Sequence, residues 1–60
     1  MRRFECFTFE AGTHDPLVTS VLAADERRAR RLILAELHSN RLATSVDVYE
    51  DGRLLWSEGA

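Results

Sequence analysis

The pattern of hydrophobic and polar residues changes twice along this chain. Residues 2–10 and 17–22 are rich in aromatic or β-branched side chains, residues 23–38 in strong helix formers, and residues 44–57 return to an alternating pattern. Aromatic and β-branched residues without glycine or proline favour strands. We therefore predict two strands, one helix and two further strands, in that order.

The first two strands are expected to form a hairpin. The intervening residues 12–16 are dense in turn formers, and the position before Pro16 is biased away from helix. Alternation divides the first strand into two faces, Phe4, Cys6 and Thr8 on one and Glu5, Phe7 and Phe9 on the other. Neither face is cleanly polar, so we expect one aromatic face to lie away from the core.

The helix is predicted to run from Asp25 to His38, with Asp25 as its N-cap. At about 100° per residue, one face is apolar and is predicted to form the core side of the helix. This predicted core face consists of Ala29, Leu32, Ile33 and Leu37.

Two residues are out of place in this helical pattern. Leu34 falls among the arginines, and Glu36 falls among the apolar residues. Glu36 would need a strand arginine as partner if it were buried, with Arg3 and Arg53 as candidates. Because carboxylates are seldom fully buried, we favour a helix rotated so that Glu36 emerges at the edge of the interface.

The second hairpin is indicated by Asp51-Gly52 between two alternating segments, which predicts strands at 44–50 and 53–57. A two-residue turn would pair Val48 with Leu55 and leave Trp56 on the outer face together with Tyr49 and Leu54. A three-residue turn closed by Gly52 as a bulge would instead pair Val48 with Leu54 and Val46 with Trp56. We favour the second register because it buries Trp56 and places Asp47, Arg53 and Ser57 outside.

The expected fold class is α+β, a single domain of residues 1–60 with ββαββ order. Four antiparallel strands form one sheet, and the helix packs on one of its faces. The other face has no cover from this chain. Apolar groups there, from the first strand and from Tyr49 and Leu55, must meet solvent, a second copy or a partner.

The composition supports a folded protein with a thin margin of stability. Of 60 residues, 45% are hydrophobic and 30% charged, which is typical of globular chains rather than disordered ones. A domain of this length buries only about 60% of the surface of its unfolded chain. The single cysteine, Cys6, cannot form an internal disulfide. We therefore expect association with a partner or with itself as a homodimer.

Neither a membrane segment nor a secretion signal is evident. No apolar stretch is longer than that of Leu32 to Ala35, which is far shorter than the roughly 20 residues that cross a bilayer, and the residues after Met1 lack an apolar signal-peptide core. We expect a stand-alone cytoplasmic protein, complete from Met1, with no membrane contact.

The residues available for chemistry do not predict an enzyme, a metal site or a cofactor. Cys6, His14 and His38 lie in a strand, a loop and a helix, without the spacing of a metal site. Cys6 has no basic neighbour to activate it and is expected to be a packed apolar side chain. No phosphate-cradling glycine motif is present. We therefore predict a protein that is not an enzyme.

Charge is concentrated on the helix. Residues 27–31 include four arginines, so the rest of the chain carries a net charge of −6 within a total of −2. Such a block binds phosphate or carboxylate groups, or it is simply a solvated helix face. With Leu34 between the guanidiniums, the composition favours a protein partner. The candidate partner-binding residues are Arg27, Arg28, Arg30, Arg31, Leu34 and Tyr49.

These observations lead to two functional hypotheses. The first is a non-catalytic protein-binding module that occupies a partner surface, a class that includes small inhibitors encoded by phages or mobile elements. The alternative is a nucleic-acid-binding module that uses the arginine-rich helix face. The net negative charge and the absence of an RNA-recognition aromatic motif or a second helix argue against nucleic acid.

Overall fold

The strands and the helix follow the predicted order in the computed structural model, which describes all residues, Met1–Ala60. The elements are β1 (Arg2–Glu10), β2 (Leu17–Ala23), α1 (Glu26–Ser39), β3 (Ala43–Glu50) and β4 (Arg53–Gly59). All neighbouring strands are antiparallel, in the order β2-β1-β3-β4. The predicted α+β fold, a four-stranded antiparallel sheet with one helix, is confirmed.

Local signals explain where the helix begins and ends. Asp25 is the N-cap, and its carboxylate accepts a hydrogen bond from the backbone N–H of Arg28 at 2.8 Å. Helix α1 ends at Ser39, one residue later than predicted, and the N–H of Asn40 donates to the carbonyl of Leu37. No helix of this protein has the length and apolar character needed to cross a membrane.

The core lies between α1 and one face of the sheet. It consists of Phe4, Cys6, Ala23, Ala29, Ile33, Leu37, Ala43, Val46, Val48 and Trp56, all buried, and it includes no polar or charged residue. The rings of Phe4 and Trp56 lie 6.4 Å apart between centroids, in a tilted arrangement. We refer to this side of the sheet as the covered face.

The helix is rotated relative to the predicted core face. Leu32 was expected in the core, but its side chain is 50% exposed, so that prediction is wrong. Leu34 instead packs against the core as a half-buried residue. The row Ala29, Ile33 and Leu37 forms the centre of the contact, which places Leu32 and Leu34 on opposite flanks. Glu36 is exposed, as the favoured reading of the helix predicted.

The β3–β4 hairpin has neither of the two predicted registers. Its turn is the two-residue one, with Glu50 opposite Arg53 and positive φ at both Asp51 (51°) and Gly52 (78°). Both values match the backbone that a type I′ turn requires. The prediction of a three-residue turn is therefore wrong. The predicted pairs Val48–Leu54 and Val46–Trp56 are wrong with it.

A bulge nevertheless brings Trp56 into the core. The register shifts between Val48 and Tyr49, so that Tyr49 lies opposite Leu54 but Val48 lies opposite Trp56. One extra residue, Leu55, stands on β4 at this step, and an extra residue exchanges the faces of everything beyond it. Trp56 is thus buried, as the favoured register required, but the burial results from a bulge and not from a longer turn.

Candidate functional site

The face of the sheet opposite α1 is not covered by any element, and we call it the open face. Alternation and strand register place the following residues on it: Arg3, Glu5, Phe7 and Phe9 of β1, Val18, Ser20 and Leu22 of β2, Ser45, Asp47 and Tyr49 of β3, and Leu54 and Ser57 of β4. Several are large and apolar. The exposed fraction is 61% for Leu22, 55% for Val18, 50% for Leu54 and 36% for Phe9.

The middle of the open face is a group of four side chains, Glu5, Phe7, Asp47 and Tyr49, which we call the central patch. Glu5 lies directly opposite Tyr49, and Phe7 lies directly opposite Asp47. The two aromatic residues therefore occupy one diagonal and the two carboxylates the other. The rings of Phe7 and Tyr49 meet edge to face, with centroids 5.3 Å apart.

The central patch lines a shallow depression of about 340 Å³, together with Phe9 and Gly52. Gly52, at one border of the depression, belongs to the β3–β4 turn. Its φ of 78° is one that residues with a side chain rarely adopt. The turn that borders the depression thus depends on glycine at this position.

The carboxylates of the central patch have no positive partner within the chain. Glu5 forms neither an ion pair nor a side-chain hydrogen bond, and Asp47 accepts one hydrogen bond, from the Ser57 hydroxyl at 2.7 Å. Arg3 is the arginine at the end of the open face, and it donates to the Ser20 hydroxyl at 3.4 Å. Two carboxylates and two aromatic rings therefore face outward together, without a cation between them.

Two of the four helix arginines are already engaged within the chain. The guanidinium of Arg30 lies 4.6 Å from the centroid of the Trp56 ring and 3.7 Å from a carboxylate oxygen of Glu58. Arg28 lies 3.9 Å from the carboxylate of Asp25. Arg27 and Arg31 are exposed and have no ion pair.

The structure therefore does not bring the predicted binding residues together. Tyr49 lies on the open face, whereas Arg27, Arg28, Arg30, Arg31 and Leu34 belong to the helix on the other side of the sheet. Leu34 is partly used by the core. Sequence reasoning missed Glu5, Phe7 and Asp47 as site residues. The one signal for them was the second, mixed face of β1, which was expected to lie away from the core.

Outside the central patch, one thiol and one carboxyl group have a shifted pKa, those of Cys6 and Glu50. Burial raises the pKa of the Cys6 thiol, which keeps it protonated and weakly nucleophilic. Hydrogen bonds of 2.6 and 2.9 Å from Arg2 lower the pKa of Glu50 at the end of the covered face. No cluster of His, Cys, Asp or Glu side chains has the arrangement of a metal site.

Comparison with known proteins gives no relative for this chain: no family model, no curated protein and no solved structure matches it.

Proposed function

We propose that this protein is a non-catalytic protein-binding module that occupies a surface on another protein through its open face. The observation that carries the proposal is the set of large hydrophobic residues left uncovered on the sheet. They are Phe7, Phe9, Val18, Leu22, Tyr49 and Leu54. Val18, Phe7, Tyr49 and Leu54 are neighbours across the four strands, and an uncovered group of apolar residues of this kind is typical of an interaction site.

The shape of the open face favours a protein over a small molecule. Small-molecule sites are concave and enclose most of their ligand, whereas the depression at the central patch is shallow and lies on a broad sheet surface. A standard protein interface takes about 800 Å² from each partner. That area corresponds to roughly a fifth of the 4356 Å² accessible surface of this chain, a share that one sheet face can supply.

The alternative function, binding of nucleic acid, is supported by Arg27 and Arg31. Both are exposed and free of ion pairs, so their guanidiniums are available to phosphates. Two phosphate contacts would give a log-log salt slope of about −2, against about −4 for the whole arginine block. This alternative is weaker because Arg28 and Arg30 already have partners within the chain.

Affinity capture with three matched baits tests the proposed function. The baits are the wild type, the open-face variant Val18→Thr/Leu22→Thr and the helix variant Arg27→Gln/Arg31→Gln, each exposed to lysate of the native host with and without nuclease. Threonine retains the strand preference at the two β2 positions while removing apolar surface. Captured proteins are quantified by mass spectrometry.

We expect the wild type and the helix variant to enrich the same protein, and the open-face variant to lose it by about tenfold or more. Equal capture by all three baits would contradict a binding role for the open face. Loss with the helix variant alone, combined with sensitivity to nuclease, would favour nucleic acid instead.

A further inference from the structure

We propose that the central patch binds a positively charged side chain, arginine in preference to lysine, presented by the protein that covers the open face. This inference rests on the proposed function, and it adds the chemistry of the partner. The partner is a different protein with a basic residue at the centre of its contact surface.

The arrangement of the four side chains suits a cation. Phe7 and Tyr49 place aromatic surface beside the carboxylates of Glu5 and Asp47, because each carboxylate lies directly across from one ring on the neighbouring strand. A cation within about 6 Å of a ring centroid is attracted by the ring and, at the same position, by a neighbouring carboxylate. A planar guanidinium can stack on a ring and donate sideways to carboxylates, which an ammonium group cannot do.

Covering the central patch with an uncharged surface would cost free energy. A partner that buried the apolar residues of the open face would also remove Glu5 and Asp47 from water. Neither carboxylate has an ion pair within the chain. Burial of an unpaired carboxylate is strongly unfavourable, so the partner has to supply positive charge at this point. Charge complementarity thus favours a partner that presents a basic side chain to the central patch.

A second copy of the chain meets this requirement poorly. A symmetric dimer across the open face would bring both copies' Glu5 and Asp47 together, with only Arg3 of each copy on the same face to balance them. Arg3 lies at the end of β1 and is held by Ser20. Docking the helix arginines of one copy onto the open face of the next would be head-to-tail and would form a ring or an open-ended chain of molecules rather than a symmetric dimer.

The proposal can be tested by an NMR titration of the ¹⁵N-labelled protein. The probe is a short peptide with two arginines in a glycine-serine background. Its control is the same peptide with citrulline, which keeps the shape of the side chain but has no charge. We expect saturable shifts of the signals of Glu5, Phe7, Asp47 and Tyr49 with the arginine peptide and at least about tenfold weaker binding of the citrulline peptide. Equal binding of both peptides, or shifts away from the central patch, would overturn the proposal.

Two charge-matched variants separate a specific site from general attraction. Glu5→Gln/Asp47→Asn removes both carboxylates of the patch, and the amide oxygen at position 47 can still accept the hydrogen bond from Ser57. Asp15→Asn/Glu36→Gln removes the same charge from exposed positions elsewhere. We expect affinity for the arginine peptide to fall about tenfold or more in the first variant and less than about threefold in the second. Equal losses would overturn the proposal.

The outcomes also distinguish this proposal from the proposed function. If the arginine peptide does not bind the central patch but Val18→Thr/Leu22→Thr still abolishes capture of the partner, the cation site is wrong and the binding module stands. If the arginine peptide does not bind and Val18→Thr/Leu22→Thr also leaves capture of the partner unchanged, the cation site and the proposed function are both wrong. Shifts of the patch signals with protein concentration alone would identify a second copy as the occupant and overturn the inference of a basic partner.

Discussion

The two faces of the sheet are built from alternate residues of the same strands, yet the composition of their side chains differs. On β1, Phe4 and Cys6 are buried under the helix, whereas Glu5 and Phe7 point to the open face. The covered face contributes only apolar residues to the core. The open face combines rings and aliphatic side chains with carboxylates that have no ion pair.

This difference shows which residues the fold requires and which it leaves free. Packing among apolar side chains of α1 and of the covered face forms the core. None of that packing explains large exposed residues such as Leu22 and Val18 on the edge strand β2. Half of the large exposed hydrophobic residues, Phe9, Val18, Leu22 and Leu54, lie on the open face, which is why we propose that a partner covers it.

The largest expected effect contrasts two phenylalanines of β1 on opposite faces. Phe4→Ala removes a fully buried ring and should lower the free energy of unfolding by about 3 to 5 kcal/mol, which is most of the stability of so small a domain. Phe9→Ala removes a ring that is 36% exposed and should cost about 1 to 2 kcal/mol. Urea unfolding followed by circular dichroism measures both, and comparable losses would erase the contrast between the faces.

A smaller effect is expected on the helix. Leu34→Ala should lower the free energy of unfolding by about 1 to 2 kcal/mol, since Leu34 packs against the core. Leu32→Ala, on the opposite flank and 50% exposed, should cost about 0.5 kcal/mol or less. Thermal or urea unfolding compares the two variants. A larger loss for Leu32 would mean that the helix is rotated toward the predicted core face.

The smallest effect concerns pH at the end of the covered face. Arg2 lowers the pKa of Glu50 in the folded state below its ordinary value of 4.5, so the interaction stabilises the fold above that pH and is lost as pH falls through the lowered pKa. Glu50→Gln should therefore be less stable than the wild type at neutral pH, and the difference should shrink in acid. Unfolding midpoints across this range measure it.

The control for the pH effect is Glu36→Gln, which removes an exposed carboxylate without an ion pair. Its stability difference from the wild type measures the effect of removing a carboxylate that contacts no arginine. If the stability difference between Glu50→Gln and the wild type did not change with pH, the contact with Arg2 would not stabilise the fold through ionisation of Glu50.

The element order and most of the core could be predicted because they follow from local patterns. Helical periodicity identified Ala29, Ile33 and Leu37, and Asp51-Gly52 identified the second hairpin. The register of that hairpin could not be predicted. A two-residue turn followed by a bulge buries Trp56, and so would the three-residue turn. Only packing against the helix decides between them.

The candidate site was less predictable for a related reason. The helix arginines are adjacent in sequence and easily noticed, but the contacts of Arg30 with Trp56 and Glu58 join distant parts of the chain. The central patch joins β1 and β3, whose pairing is not encoded by any turn between them. A single sequence offers no signal for that pairing beyond the mixed character of the second face of β1.

The most direct test of the division between the two faces is the free energy of unfolding of Val18→Thr/Leu22→Thr, measured beside the wild type over a wide range of protein concentrations. Both side chains are more than half exposed, so we predict a free energy of unfolding within about 1 kcal/mol of the wild type. We also predict that this value does not depend on protein concentration, even though the variant is expected to lose capture of the partner. A loss of about 2 kcal/mol or more would show that the open face belongs to the folding core. A wild-type stability that rises with concentration would show that the open face is covered by a second copy, and either result would contradict the account.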